Sequence, residues 1–542
     1  MIRFHFLTRL TASVVSFLCL FCMTSLVFAQ GAPQTPAASP ENKPAPQAKP
    51  APAAKPAQPA PASKPAVEKP LSFRFTEIEK DSDEDRIRNQ SGTIINKGKF
   101  EKAEDKAIFT QYYKEYFFAR WVSSGKYYQM DAYPEALRKQ AKATRKPTDK
   151  KRLENIASRW SYPCFIEDFR KDLDRSREDG EPQKIAVKIA YDFAMEVIAS
   201  NNSHCTPAVK YNCTLLLGNL YYKISASANE LPVVYAPAFD TLVKIASSAK
   251  APCYLKIGAL MGLNQIISET NLTDKQKTDV YTVMLEIAKT KVDPSAFANS
   301  KDDPTGEGAA WARNLAIEGL RLLADFNSKI DKTKGFYPGR EAIGTIFQII
   351  NDKKAPMTTR IAALESLGSY NFNKYPELKS NSPKLLKSAA ALVIEAIQTE
   401  LDRKVDNLIW GDDAEQMARQ YHSDNAEEEQ VDTTNNAIFL LQRALPAVYA
   451  VNTALNGVKG DKGWKGLSTL DSSTNPNSPA EMIGVLKEVN SSLNALSKEI
   501  MPSGGNAGAA DIDSEDGYAT DKMQEVISVL NSIQDAFRPF TE

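Results

Sequence analysis

The sequence predicts an all-α protein with a central α-solenoid of repeated helix pairs, an N-terminal helical cap and a C-terminal three-helix bundle. Three observations predict this fold. One helical pattern occurs four times in the middle of the chain. An aromatic stripe with helical spacing precedes these copies, and two long segments with apolar residues three and four positions apart follow them. The 542 residues are 42% hydrophobic and 25% charged, which is enough to bury a large core.

The clearest copy of the repeated pattern is residues 355–370, APMTTRIAALESLGSY. Pro356 suits the start of a helix, where its missing N–H costs nothing, and Gly368 suits the end. Between them lie a basic position, Arg360, and a small residue, Ala363, that lets a neighbouring helix approach closely. The other copies are Val209, Lys210, Cys213, Leu216, Leu217 and Gly218; Leu255, Lys256, Ala259, Gly262 and Leu263; and, with the basic residue lost, Leu315, Ala316, Gly319, Leu322 and Leu323.

The spacing of these copies is that of a helical repeat. Positions 210, 256, 316 and 360 are 46, 60 and 44 residues apart, and two of the intervals fall in the range of roughly 40 to 47 residues typical of HEAT or armadillo units. Over residues 182–405 the pattern resembles V-R-x-x-A-x-x-A-L-G, the second helix of a HEAT repeat, in a protein of the secreted bacterial type. The resemblance implies a superhelix used as a binding surface or scaffold. Lys210, Lys256 and Arg360 would then contact a partner or pair with neighbouring acids.

The N-terminus predicts export. Residues 1–29 begin with a basic segment, continue with an apolar run of about 19 residues and end with the small residues Val27 and Ala29 before Gln30. This pattern is typical of a cleaved signal peptide. The run is also long enough to span a bilayer, so an uncleaved signal anchor is the alternative. The expected location is the periplasm or cell envelope, and a membrane is a partner only if the segment stays uncleaved.

Residues 30–70 form a Pro/Ala/Lys-rich tract. It has too few apolar side chains to fold, so it predicts a disordered, semi-rigid linker or, alternatively, a cationic tract that adheres to an anionic envelope polymer. The whole chain has a formal net charge of zero. Without the basic signal segment and this tract the remainder carries about −5, which argues against a nucleic-acid partner.

Residues 71–181 predict the N-terminal cap. Its apolar stripe consists of Ile108, Phe109, Tyr112, Tyr113, Tyr116, Phe117 and Trp121, followed by Tyr127, Tyr128 and Tyr133. At this spacing the stripe predicts a core helix that covers the first repeat. Aromatic rings also stack on sugars, so a polysaccharide or peptidoglycan site is the alternative. Its candidate residues are Tyr112, Tyr116, Trp121, Tyr127 and Tyr128.

Residues 406–430 form an acidic connection, and residues 431–542 predict the C-terminal bundle. A kink is expected at Pro446 in its first helix, and a capping box at Ser478 and Glu481 begins the second. The second and third helices carry coiled-coil seams joined by a glycine-rich link, which permits an antiparallel hairpin. The alternative is that one seam pairs with another chain, so the oligomeric state stays open.

Four cysteines follow the predicted signal segment, and export permits disulfides. Cys205 and Cys253 begin second helices in adjacent repeats and form the candidate pair, with Cys164 and Cys205 as the competitor. Cys213 occupies the small-residue position of the frame, which predicts a buried thiol.

The sequence has no motif for catalysis, for a cofactor or for a metal. It contains no H-E-x-x-H, G-x-S-x-G, C-x-x-C or P-loop, and only His204 and His422 follow the signal segment. The expected function is therefore that of an exported, non-enzymatic scaffold that binds a protein partner in the cell envelope. The alternative is a polysaccharide-binding module that uses the N-terminal aromatic helix.

Overall fold

The structure, a computed structural model, confirms that the protein is all-α. The residues that it describes form fifteen α-helices with almost no sheet, and 83% of them are helical. The signal segment, the linker and the end of the acidic connection lie outside these residues. The described residues are 82–118, 162–175, 180–202, 205–222, 231–290, 306–324, 338–375, 378, 381–421, 440–441, 443–457, 459–460, 463–464, 466–469, 478–500 and 515–541.

In the described part of the chain before residue 180, three helices are present: α1 (Ser82–Lys97), α2 (Ala103–Gln111) and α3 (Tyr162–Arg175). A π-helix, Tyr112–Phe117, continues α2 without a break. Helix α1 packs against both α2 and α3, so the three segments form one layer.

Four helix pairs follow, each made of a first and a second helix. The first helices are α4 (Glu181–Ala199), α6 (Ala236–Ser247), α8 (Asp274–Lys289) and α10 (Pro338–Asn351). The second helices are α5 (Pro207–Leu217), α7 (Cys253–Glu269), α9 (Glu307–Leu322) and α11 (Met357–Ser366). Between α5 and α6, strand β1 (Tyr221–Tyr222) pairs antiparallel with β2 (Val233–Val234).

The starts of these helices follow from local chemistry. At α5 the side chain of Thr206 accepts a hydrogen bond from the backbone N–H of Val209, and Pro207 occupies a position where an N–H would have no partner. At α8 the side chain of Thr273 and that of Gln276 form a reciprocal capping box. Both helices therefore begin where the sequence supplies side-chain acceptors.

The chain ends with α12 (Ser382–Tyr421), α13 (Pro446–Asn456), α14 (Pro479–Ile500) and α15 (Glu515–Phe537). A short antiparallel hairpin of β3 (Lys459–Gly460) and β4 (Gly463–Trp464) follows α13. Helix α12 includes the first part of the predicted acidic connection. Pro446, where a kink is expected, is the first residue of α13. Helix α13 packs against α11 and α12, α15 packs against α12, and α14 joins α13 to α15.

The helices of successive pairs contact one another in two rows. The second helices pack in the order α5, α7, α9 and α11, and α13 continues this row; the first helices pack in the order α6, α8 and α10, and α12 continues that row. Glycine makes the row of second helices close-packed. A Cβ atom at Gly218 would lie 2.4 Å from the Cα of Gly262, and one at Gly368 would lie 2.2 Å from the carbonyl oxygen of Thr453. The glycines of the repeated frame thus set the distance between neighbouring second helices.

Candidate partner-binding face

The basic residue of the clearest copy, Arg360, is buried inside the protein. It is 5% exposed, and its Nε donates to the carbonyl oxygen of Ile350 at the end of α10, at 2.9 Å. Nη1 and Nη2 bind the two carboxylate oxygens of Glu395 on α12, at 2.6 and 2.9 Å. Hydrogen bonding to Arg360 holds the pKa of the Glu395 carboxyl below its usual value. Arg360 therefore ties α11 to two first helices and is not open to a partner, contrary to its candidate role.

Arg313 makes the equivalent contact in the preceding pair. It is 4% exposed, and its Nε donates to the carbonyl oxygen of Ala288 in the last turn of α8, at 2.9 Å. The third copy of the frame therefore begins at Ala312 and Arg313, three residues earlier than the sequence pattern suggested, and its basic residue is present. The basic positions become 210, 256, 313 and 360, so the intervals become 46, 57 and 47 residues.

The remaining two basic candidates differ from these arginines. Lys210 and Lys256 are half-buried, and neither forms an ion pair with an acid in the described part of the chain. A lysine ammonium cannot reproduce the planar, multiple hydrogen bonding of an arginine guanidinium. The structure thus does not bring Lys210, Lys256 and Arg360 together into one exposed basic groove.

Two exposed aromatic residues lie on the second helices and on α13, whose solvent-exposed side we call the second-helix face. Among the described residues the large apolar side chains that are exposed are Leu231, Trp311 and Tyr449, at 47%, 39% and 53%. Trp311 lies in the first turns of α9 and Tyr449 in those of α13. Half-buried Tyr211 and Met261 continue the face on α5 and α7, where the Tyr211 hydroxyl lies 3.0 Å from the Met261 sulfur. The solvent-exposed side of these helices therefore includes aromatic and apolar side chains.

A small acidic group interrupts the apolar character of the face. Glu318 on α9 and Glu365 on α11 occupy the same frame position, five residues after Arg313 and Arg360. Arg321 binds Glu318 through both Nε and Nη2, with Nε at 2.6 Å from Oε2. Glu365 is an exposed residue, yet burial around its carboxyl raises the pKa of that group. Arg321 opposes this shift and Glu318 adds to it. One arginine thus stands among two carboxylates and is bound directly to one of them.

No protein-family model, no curated protein and no solved structure matches this chain. No helix within the described ranges is long and apolar enough to cross a bilayer.

The aromatic stripe of the N-terminal cap is core. Tyr112 and Tyr116 are 7% and 4% exposed, and Phe118 stacks on Phe193 of α4 with ring centroids 4.8 Å apart. Buried rings offer no face to a sugar, so these two tyrosines do not form the candidate glycan site. Trp121, Tyr127 and Tyr128 lie outside the described residues.

Polar contacts join the N-terminal helices to one another and to α7. Arg170 of α3 pairs with Glu269 at the end of α7, with Nη2 and Oε2 2.9 Å apart. The Tyr113 hydroxyl donates to Asp172 at 3.0 Å, in an environment whose burial raises the pKa of that carboxyl. The Arg170–Glu269 ion pair thus ties α3 to α7.

The cysteines do not form the predicted disulfide. Cys205, Cys213 and Cys253 are all thiols. Cys205 is 5% exposed and lies within electrostatic range of Cys213, so its side chain faces the interior of its own repeat. Cys213 is fully buried, as the frame predicts, and burial raises the pKa of its thiol. Cys164 lies where the side chains are not described.

Proposed function

We propose that the protein is an exported α-solenoid scaffold that binds a protein partner in the cell envelope through its second-helix face, without catalysing a reaction. The observation that carries the proposal is the exposure of Trp311 and Tyr449 on that face. Exposed aromatic residues are enriched at the energetic centres of protein interfaces. The other described aromatic side chains of residues 180–457 are buried or half-buried, so these two are distinctive.

The solenoid is supported by repeated contacts. Each second helix packs beside the next second helix. The helices α6, α8, α10 and α12 likewise contact one another in chain order. Two pairs use the same arginine-to-carbonyl hydrogen bond, from Arg313 to Ala288 and from Arg360 to Ile350. We propose HEAT-like pairs that run from α4–α5 to α12–α13, with the cap on α4 and with α14 and α15 at the other end. Such an arrangement presents one long row of helices to a partner.

Export is supported by the N-terminal sequence. A basic segment and an apolar run precede the Pro/Ala/Lys-rich tract, a pattern typical of an exported protein. We therefore place the protein in the periplasm or at the envelope, either released or held by its N-terminal segment.

The proposal is tested by capture from an envelope extract. The purified chain from Gln30 onward is immobilised, and bound protein and bound sugar are both quantified. We expect one saturable protein partner, and we expect the W311A/Y449A variant to bind it at least about ten-fold more weakly, because truncating a central aromatic typically costs about 2 kcal/mol or more.

The matched control is L231A, which removes an equally exposed apolar side chain from the segment before β2, outside the second helices. It should bind like the wild type. Retention of glycan with no protein, or equal binding by the wild type and W311A/Y449A, would overturn the proposal.

A further inference from the structure

The charges of the second-helix face differ from those of the first helices. The first helices carry exposed acids and bases that pair with each other, such as Lys188 with Asp192 and Lys289 with Glu341. On the second-helix face between α9 and α11, the cation Arg321 is bound to Glu318. The carboxylate of Glu365 has no hydrogen bond or ion pair among the described residues, although Arg321 is near enough to act on it electrostatically. This part of the face is therefore acidic.

The exposed ring of Tyr449 borders the same place. The closest contact between α11 and α13 joins Gly368 to Thr453. Glu365 lies about one turn before Gly368, and Tyr449 lies one turn before Thr453. Both side chains thus lie about one helical turn from the same backbone contact. Glu365 is an exposed residue, and the ring of Tyr449 is 53% exposed.

We propose that this part of the second-helix face binds a basic segment of the partner protein, with an arginine or lysine side chain paired to Glu365 and lying against the ring of Tyr449. The inference rests on the proposed function and specifies its partner. A carboxylate suits the charged, two-pronged hydrogen bonding of a guanidinium, and an exposed aromatic ring attracts a cation over its face. Glu318 adds negative potential at the equivalent position of the neighbouring helix. An anionic polymer or membrane would instead be repelled here.

The test uses a defined probe, the fluorescent peptide Ac-RPARPARPARPA-NH2, and its acidic counterpart Ac-EPAEPAEPAEPA-NH2, titrated with the purified chain from Gln30 onward. We expect the basic peptide to bind, the acidic one not to bind, and binding to weaken as salt is raised from about 50 to about 200 mM. The E365K variant should bind the basic peptide at least about ten-fold more weakly.

The control is E286K, which makes the same charge change at an exposed glutamate of the first helix α8. It should change the affinity less than about two-fold. The inference is overturned if the wild type fails to bind the basic peptide, if both variants weaken binding equally, or if the acidic peptide binds as well. In each of these cases the proposed function still holds if the W311A/Y449A variant binds the captured partner more weakly than the wild type does. Failure of this inference can therefore be told apart from failure of the proposed function.

Discussion

Replacing Glu395 by glutamine is expected to lower the free energy of unfolding by about 2–3 kcal/mol. The change leaves the guanidinium of Arg360 buried, at 6% side-chain exposure, without a counter-charge. Breaking a fully buried pair costs about 3–5 kcal/mol, and we expect less because the Glu395 side chain is 38% exposed and water screens it. The measurement is urea denaturation of the wild type and E395Q at neutral pH.

The destabilisation caused by E395Q should decrease as the pH falls. Because hydrogen bonding to Arg360 lowers the folded-state pKa of Glu395, its stabilisation is present above the pKa of the unfolded carboxyl and is lost as pH falls through the folded-state pKa. The difference between wild type and E395Q should therefore be full at neutral pH and shrink in acid.

The matched control for this prediction is E341Q. Glu341 pairs with Lys289 between α10 and α8, but both side chains are nearly half exposed, so the substitution should cost less than about 1 kcal/mol. If E395Q is no more destabilising than E341Q, the structural role assigned to the Arg360 pair is wrong.

Replacing Gly218 by alanine is expected to destabilise the protein by about 3 kcal/mol, at the upper end of typical overpacking costs. The new Cβ would lie 2.4 Å from the Cα of Gly262, and a backbone atom cannot move aside as a flexible side chain can. The backbone of Gly218 has a φ of −66°, which any residue adopts, so the cost comes from the contact with α7 alone.

Gly344 provides the control for that contact. A Cβ at this position of α10 meets nothing within 4 Å, so G344A should stabilise the protein by up to about 1 kcal/mol through the higher helix propensity of alanine. Urea denaturation of the two variants should give effects of opposite sign. Destabilisation of similar size in both would contradict the close approach of α5 and α7.

Much of the fold follows from local sequence signals, whereas the register of the third copy does not. The helical spacing of apolar residues predicted an all-α protein, which the structure confirms, whereas the repeats predicted from the frame around Arg360 stay a proposal. At α9 the pattern fits at Arg313 and also three residues later, because a shift of nearly one helical turn keeps the same apolar stripe. Only the hydrogen bond from Arg313 to the end of α8 distinguishes the two registers.

The candidate face was harder to predict for a tertiary reason. Trp311 and Tyr449 have the helical spacing of core residues, and exposure depends on which neighbouring helices cover them. The sequence also placed α13 in a separate bundle, whereas it packs beside α11. Conversely, the charge of Arg360 made it a candidate partner contact, but its three hydrogen-bonded nitrogens make it part of the core. The sequence did contain a clue to the position of Trp311 on a second helix, because this residue lies two positions before Arg313, the basic residue of the frame.

The central claim is that the second-helix face binds a protein in the cell envelope, and crosslinking in intact cells tests it most directly. A photoreactive phenylalanine analogue is placed at position 311 in the full-length chain, and in a separate variant at position 231. We predict a single crosslinked protein product from position 311 and none of that product from position 231. The claim is contradicted if position 311 gives no protein product, or if both positions give the same products.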